Sequence, residues 1–284
     1  MRAFLLRTTR LLLYVALTLP LVPVQAVLVA LGSPLAALLP RLYHRLCWRI
    51  LGFRVEAKGR LSERTPTLFV CNHASYLDIT VLGGLIKGSF IAKSEVASWP
   101  LFGLLARLQR TVFVERRAQR SAEQRDAVSR RLASGSDLIL FPEGTSSDGN
   151  RVLPFKSALF GAAESLVGGA PVAVQPVSIT YVRLNGIPMG RHLRPFFAWY
   201  GDMEMASHLW ALLGLGTVTV SVEFHPVVTR ANFASRKALA EHCRSLVAEG
   251  VASALSGRDV EAVSAPKPAP APVLPPAPVT GLQA

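Results

Sequence analysis

Between residues 1 and 55 the chain has no aspartate, glutamate or lysine, although Arg2, Arg7, Arg10, Arg41, Arg45, Arg49 and Arg54 all fall there. Residues 11–40 carry no charged side chain at all. Cysteine is nearly missing too: Cys47, Cys71 and Cys243 are odd in number and far apart. That excludes a disulfide framework and points to reduced thiols in a cytosolic compartment. There is no Cys-x-x-Cys, no His-Glu-x-x-His and no calcium-loop pattern, so no metal site is expected. A Gly-x-Ser-x-Gly elbow is also lacking, which counts against an acyl-enzyme hydrolase built on a serine nucleophile. Residues 83–89 have the glycine spacing of a phosphate-binding loop but not its terminal Lys-Ser/Thr pair, so nucleotide binding is discounted.

What is present is positive charge and apolar bulk. The formal net charge is +13 and half of the 284 residues are apolar, a pairing that suits an anionic surface. Basic clusters bracketing an uncharged apolar stretch fit a membrane and not nucleic acid, for which no recognition motif occurs. As one helix, residues 11–40 would span ~45 Å, more than a ~30 Å hydrocarbon core. Pro20, Pro23 and Pro34, with Gly32, are expected to break it. A bent pair of partly embedded helices is the first expectation and a single kinked transmembrane helix the second. A signal peptide cleaved after Val24-Gln25-Ala26 is the third.

From residue 41 onward, short apolar runs alternate with amphipathic stretches. Strands are expected at 67–71, 89–92, 111–114, 137–141, 172–180 and 217–224, and helices at 77–86, 101–107, 118–134, 156–167 and 232–255. The alternation predicts an α/β fold, a mixed, mostly parallel sheet flanked by helices. The expected organisation is a membrane-associated helical segment at 1–40, a catalytic domain at 41–256 and a Pro/Ala-rich tail at 257–284.

Three segments carry the chemistry. Asn72-His73-Ala74-Ser75-Tyr76-Leu77-Asp78 follows an apolar strand. An imidazole can take a proton from a hydroxyl near neutral pH, and a carboxylate on its other nitrogen fixes the tautomer. On a straight helix residues five apart point about 140° apart, so His73 must lie in the loop and Asp78 at the helix start for the two to meet. Phe141-Pro142-Glu143-Gly144-Thr145-Ser146-Ser147 forms a sharp turn whose backbone amides could face an anion. Thr111-Val112-Phe113-Val114-Glu115-Arg116 delivers Arg116 to a strand's C-terminal end, where open α/β sheets bind ligands. Each segment also has a bland reading, respectively a helix cap beside a loop histidine, a plain turn, and a surface ion pair with Glu115.

In this order the segments resemble the glycerolipid acyltransferase family that includes the 1-acylglycerol-3-phosphate acyltransferases. That family is marked by Asn-His-x4-Asp, Phe-Ile-x-Arg, Phe-Pro-Glu-Gly-Thr and an apolar segment with a proline. Here these read Asn72 to Asp78, Phe113 to Arg116, Phe141 to Thr145 and Val174-Gln175-Pro176-Val177, with Lys93 and Pro100 in the lead-in to the second. The resemblance implies that His73 is the base and Asp78 its orienter. It also implies that Asn72, Lys93, Arg116, Glu143, Gly144 and Thr145 serve substrate binding. Two positions depart from the pattern: Ser146 stands where lysophosphatidate-using members often carry Arg, and Arg110 where a Gly often precedes the strand. Residues 141–160 and Trp199-Tyr200-Gly201-Asp202 look like the bacterial lyso-ornithine lipid acyltransferases, whose acceptor carries a carboxylate and an amine.

The implied reaction is transfer of a fatty acyl group from acyl carrier protein or coenzyme A thioester to the free hydroxyl of a lysolipid. No cofactor is implied. Because thioester donors are cytosolic, the expected location is the cytoplasmic face of the inner membrane. Two rivals use other chemistry: a lipid hydrolase with water as acceptor, and a non-catalytic membrane lipid-binding protein.

Overall fold

A computed structural model of the chain describes residues 1–115 and 121–257. Arg116, the first residues of the 118–134 helix and nearly all of the 257–284 tail lie outside the described residues.

Two helices come first, α1 (Arg2–Ala30) and α2 (Leu35–Leu51). Pro20 and Pro23 do not break α1; the chain reverses only at residues 31–34, and α2 also passes through Pro40. Each internal proline removes one ladder bond, and the tertiary packing of the helix holds it together across the gap. The pair is antiparallel, with Gln25 Nε2 donating to Ala36 O at 2.8 Å and the Thr18 and Tyr43 hydroxyls 3.0 Å apart. The anticipated 40/41 boundary falls inside α2.

Then come β1 (Phe53–Gly59), β2 (Thr67–Cys71), α3 (Leu77–Leu85), β3 (Gly88–Lys93), α4 (Phe102–Leu108), β4 (Val112–Val114), α5 (Ser121–Ala133) and β5 (Asp137–Leu140). The chain finishes with β6 (Leu166–Val167), β7 (Ala170–Pro171), β8 (Ala173–Leu184), β9 (Ile187–Pro188), α6 (Met205–Leu213), β10 (Val218–Phe224), β11 (Val228–Thr229) and α7 (Arg236–Ser256). The main sheet runs β1-β10-β8-β2-β5-β3-β4, with β9 and β11 pairing β8. From β8 to β4 the neighbours are parallel, β10 is antiparallel to β8, and β1 is parallel to β10. The sheet is therefore mixed and mostly parallel, as the alternation of elements predicts.

Both faces of the sheet are covered, and the two-residue side-chain period divides the core. Along β2, Phe69 and Cys71 join Val81 and Leu82 of α3 on one face, while Leu68 and Val70 join Leu239 and Val247 of α7 on the other. Helix α2 packs closely on α3 because Gly83 and Gly84 have no side chains; a Cβ at either would collide with His44 or Trp48. Gly83 and Gly84 of the 83–89 run thus serve helix contact, while Gly88 lies in β3 against Asp137 of β5.

One expected element changes, and two further elements join the fold. Residues 157–164 form a 3-10 helix (Ser157–Glu164) rather than an α-helix, a tighter winding centred on Gly161, which disfavours an α-helix. Strand β1 and helix α6 go beyond the sequence reading: β1 is a half-exposed edge with charges on it, and α6 is only nine residues long.

Candidate active site

Strands β2, β5, β3 and β4 are parallel, so their C-terminal ends share one edge of the sheet. His73 leaves β2 there, Glu143 and Gly144 follow β5, and Lys93 ends β3. This is the edge where an α/β sheet offers loops and helix starts to a ligand.

The His73 loop is fixed from several directions. Its amide donates to Glu143 Oε1 at 3.2 Å and its carbonyl accepts from Ser147 N at 2.8 Å. Its ring stacks on Phe141 with centroids 4.1 Å apart. Nδ1 lies 2.9 Å from Asp78 Oδ2. Asp78 sits in the first turn of α3 and is fully buried. Its Oδ2 also accepts from the Ala74 and Ser75 amides at 2.8 and 2.9 Å, and Oδ1 accepts from the Tyr181 hydroxyl at 2.7 Å. A buried carboxylate is tolerated when its lone pairs are filled in this way. An ionised carboxylate only accepts, so Nδ1 carries the ring proton and Nε2 is left basic. The side chain of His73 is 22% exposed, enough for a hydroxyl to reach it.

Glu143 is almost fully buried, and it faces inward. Burial pushes its carboxyl up to about 8, offset in part by the His73 and Leu153 amides and raised further by Asp78. In this placement its side chain braces the His73 loop through Oε1. Asn72 is turned inward as well. It is buried, with Nδ2 donating to Ile179 O and Oδ1 accepting from Ile179 N, both at 2.9 Å. Both ends of the amide are thus used in clamping the end of β2 to β8.

Gly144 adopts φ +69°, the left-handed region open to glycine. Any side chain there would press on the Lys156 ammonium, 3.0 Å from an ideal Cβ. Thr145 is exposed beside it. Lys156, exposed and anchored through its amide to Pro142 O at 2.9 Å, is a cation at this turn that no sequence spacing identified. Ser146 donates to Trp199 O, and Trp199 N donates to Ala74 O at 2.8 Å, so the position that departs from the family pattern ties two loops together. Lys93 is half-buried at the same edge, in register with Val114 of β4. Arg116 lies outside the described residues.

Near the dyad is an apolar cavity of about 230 Å³, lined from α1, α2, α3, α4, α6 and β3. Leu21, Leu39, Leu77, Phe90, Trp99 and Phe102 line it. Phe90 stacks on Phe141, which stacks on His73, so the cavity starts two rings from the imidazole. No cluster of three or more His, Cys, Asp or Glu able to hold a metal occurs among the described residues.

Three comparisons bear on this arrangement. The family model described as Acyltransferase matches residues 52–180, which include both members of the dyad and the Glu143 turn. A lyso-ornithine lipid O-acyltransferase of Brucella abortus is 47% identical over 251 residues, covering 87% of this chain and 94% of the relative. Another of Rhizobium meliloti is 43% identical, with coverage of 91% and 90%. The crystal structure of a 1-acyl-sn-glycerophosphate acyltransferase from Thermotoga maritima superposes with a TM-score of 0.58 at 25% identity, covering 78% of this chain and 80% of that one. A histidine held by a buried aspartate at the carboxyl edge of a parallel sheet, kinship over most of the chain and the shared fold agree: the chain belongs to the acyltransferase family and is an acyltransferase.

Proposed function

We propose that the protein transfers a fatty acyl group from an acyl carrier protein or coenzyme A thioester to the free hydroxyl of a lysolipid, with lyso-ornithine lipid preferred over 1-acylglycerol-3-phosphate. The observation that carries this reading is the anchored His73–Asp78 pair opening beside an apolar cavity. The cavity takes the acyl chain. The acceptor hydroxyl gives its proton to His73 Nε2 as its oxygen attacks the thioester carbonyl. Asp78 stabilises the imidazolium that forms. Collapse of the tetrahedral intermediate breaks the carbon–sulfur bond, giving the ester and a thiolate, which takes up the proton. A thiolate is a good leaving group, so no further acid is required.

The acceptor preference is supported by the two bacterial relatives, both lyso-ornithine lipid O-acyltransferases, and by Ser146, whose hydroxyl holds a loop where a guanidinium would favour a phosphate dianion. Helix α1 is long and apolar enough to cross a membrane, with a mean hydropathy of 2.2 over its best window, and most of that window is not buried. Yet α1 is tied to the same domain at two points ~22 Å apart along its axis. Arg10 donates to Leu213 O and Leu215 O, and Gln25 donates to Leu108 O. A crossing α1 would drag those domain surfaces into hydrocarbon, so the hairpin lies in one leaflet, on the cytoplasmic side where thioester donors occur.

The test is purified protein in detergent assayed against a panel of lysolipids with both donor types. Ester formation with lyso-ornithine lipid is expected. Free fatty acid released without consumption of lysolipid would instead establish a hydrolase.

A further inference from the structure

A polar pocket shares no lining residue with the apolar cavity. It has a volume of about 370 Å³ and is lined by Asp148, Asn150, Arg151, Arg191 and Arg194. It borders the dyad through a short relay of backbone. Ser147 N is bonded to His73 O, and Gly149 sits between Ala74 and Arg194, with a Cβ position about 4 Å from each.

The charges in the pocket are arranged by the loops. Asn150 accepts from Arg194 Nη1 at 2.8 Å and donates to Arg191 O at 3.2 Å. Arg194 Nε donates to Met189 O at 3.2 Å. Asp148 Oδ1 accepts from Asn150 N at 3.1 Å and stands 4.0 Å from Arg151 Nε. Burial lowers the Arg194 pKa and the neighbouring Arg191 lowers it further, while Asp148 offsets part of this. Two guanidiniums held near each other gain from an anion between them. A phosphate dianion would also meet the Asp148 carboxylate. A group with one carboxylate and one ammonium can set its anion between Arg191 and Arg194 and its cation at Asp148, whose carboxylate it shares with Arg151.

We propose that this pocket is the headgroup subsite of the acceptor and recognises a zwitterionic amino-acid headgroup. Arg191 and Arg194 take the carboxylate, and Asp148 takes the ammonium. The assignment rests on the lyso-ornithine reading above and adds to it the residues that choose the acceptor. None of them belongs to the dyad or the Glu143 turn.

The experiment measures kcat and KM for lyso-ornithine lipid, its carboxyl methyl ester and its N-acetylated side-chain amine, with wild type, Arg191→Ala and Asp148→Asn. Arg191 is exposed, so its replacement leaves the fold intact, which a thermal melt verifies. Arg191→Ala is expected to raise KM for the free acid about tenfold, the scale of one charge-assisted contact, and to leave kcat and the KM for the methyl ester within about threefold. Asp148→Asn is expected to raise KM for the free amine but not for the N-acetylated acceptor. Equal losses on the free acid and the ester, or a raised donor KM in place of the acceptor's, would overturn the assignment. A wild type that ignores lyso-ornithine lipid would refute the underlying acceptor reading, and that result is seen without any variant.

Discussion

At the residue scale, Asp78 is the most heavily constrained side chain of the site, accepting four hydrogen bonds with no exposure. Asp78→Ala would strand several buried donors at ~1–3 kcal/mol each, so its effect on activity mixes with unfolding. Asp78→Asn is the cleaner probe. It keeps the volume but presents an N–H that reverses the His73 tautomer, and kcat should fall by at least ~10²-fold while the melting temperature shifts by a few degrees. Glu143 offers a pH test. Its folded pKa of about 8 lies above the ordinary 4.5, so the native state holds a proton that the unfolded chain has released between those values. Its contribution is intact below pH ~4.5, and stability falls as pH rises through about 8. Glu143→Gln keeps the acceptor for the His73 amide and removes the titration. Denaturant melts at pH 5 and pH 8.5 should therefore differ less in the variant than in the wild type. His73 and Asp78 were legible in the sequence because they are five residues apart on one strand-loop-helix unit. Tyr181, Ser147 and Lys156 were not, because separate strands and loops bring them in and only the folded sheet makes them neighbours. Glu143 was legible as a motif residue but not as a buried brace.

At the element scale, the strands of the sheet interior announced themselves as short apolar runs, and β2 matches its expected range residue for residue. The edge strand β1 lacked that signal because its exposed positions are polar, and α6 lacked it because it is short and lies beside apolar loops. The prolines of α1 misled because local propensity is outweighed by packing against α2, α4 and α6. That packing can be tested. Arg10→Ala removes the bonds that latch α1 to the end of α6, and unfolding stability in detergent should drop by about 1.5–3 kcal/mol. The cavity under the hairpin is the second target. Ala106 lines it, and Ala106→Trp fills space that an acyl chain would occupy. At ~0.8 kcal/mol per buried methylene, excluding two methylenes should shift relative kcat/KM about 15-fold towards shorter donors. An unchanged chain-length profile would place the acyl chain elsewhere.

At the scale of the whole molecule, charge and apolar surface work together. The net charge of +13 suits an anionic leaflet, while Phe4, Leu12, Leu19, Val27, Leu35 and Leu42 expose apolar surface along the hairpin. Electrostatic attraction is screened within a few ångström at ~1 M salt, whereas apolar insertion is not. The protein should therefore stay on anionic vesicles in a high-salt flotation assay, and release would mean that charge alone holds it there. The central claim is nevertheless chemical: one imidazole, oriented by a buried carboxylate, takes the proton of a lysolipid hydroxyl. The most direct measurement is the rate of ester formation from an acyl thioester and lyso-ornithine lipid by wild type and His73→Ala, each shown folded by its melting temperature. The account predicts a loss of at least ~10²-fold with folding retained. Near-normal turnover by folded His73→Ala would contradict it.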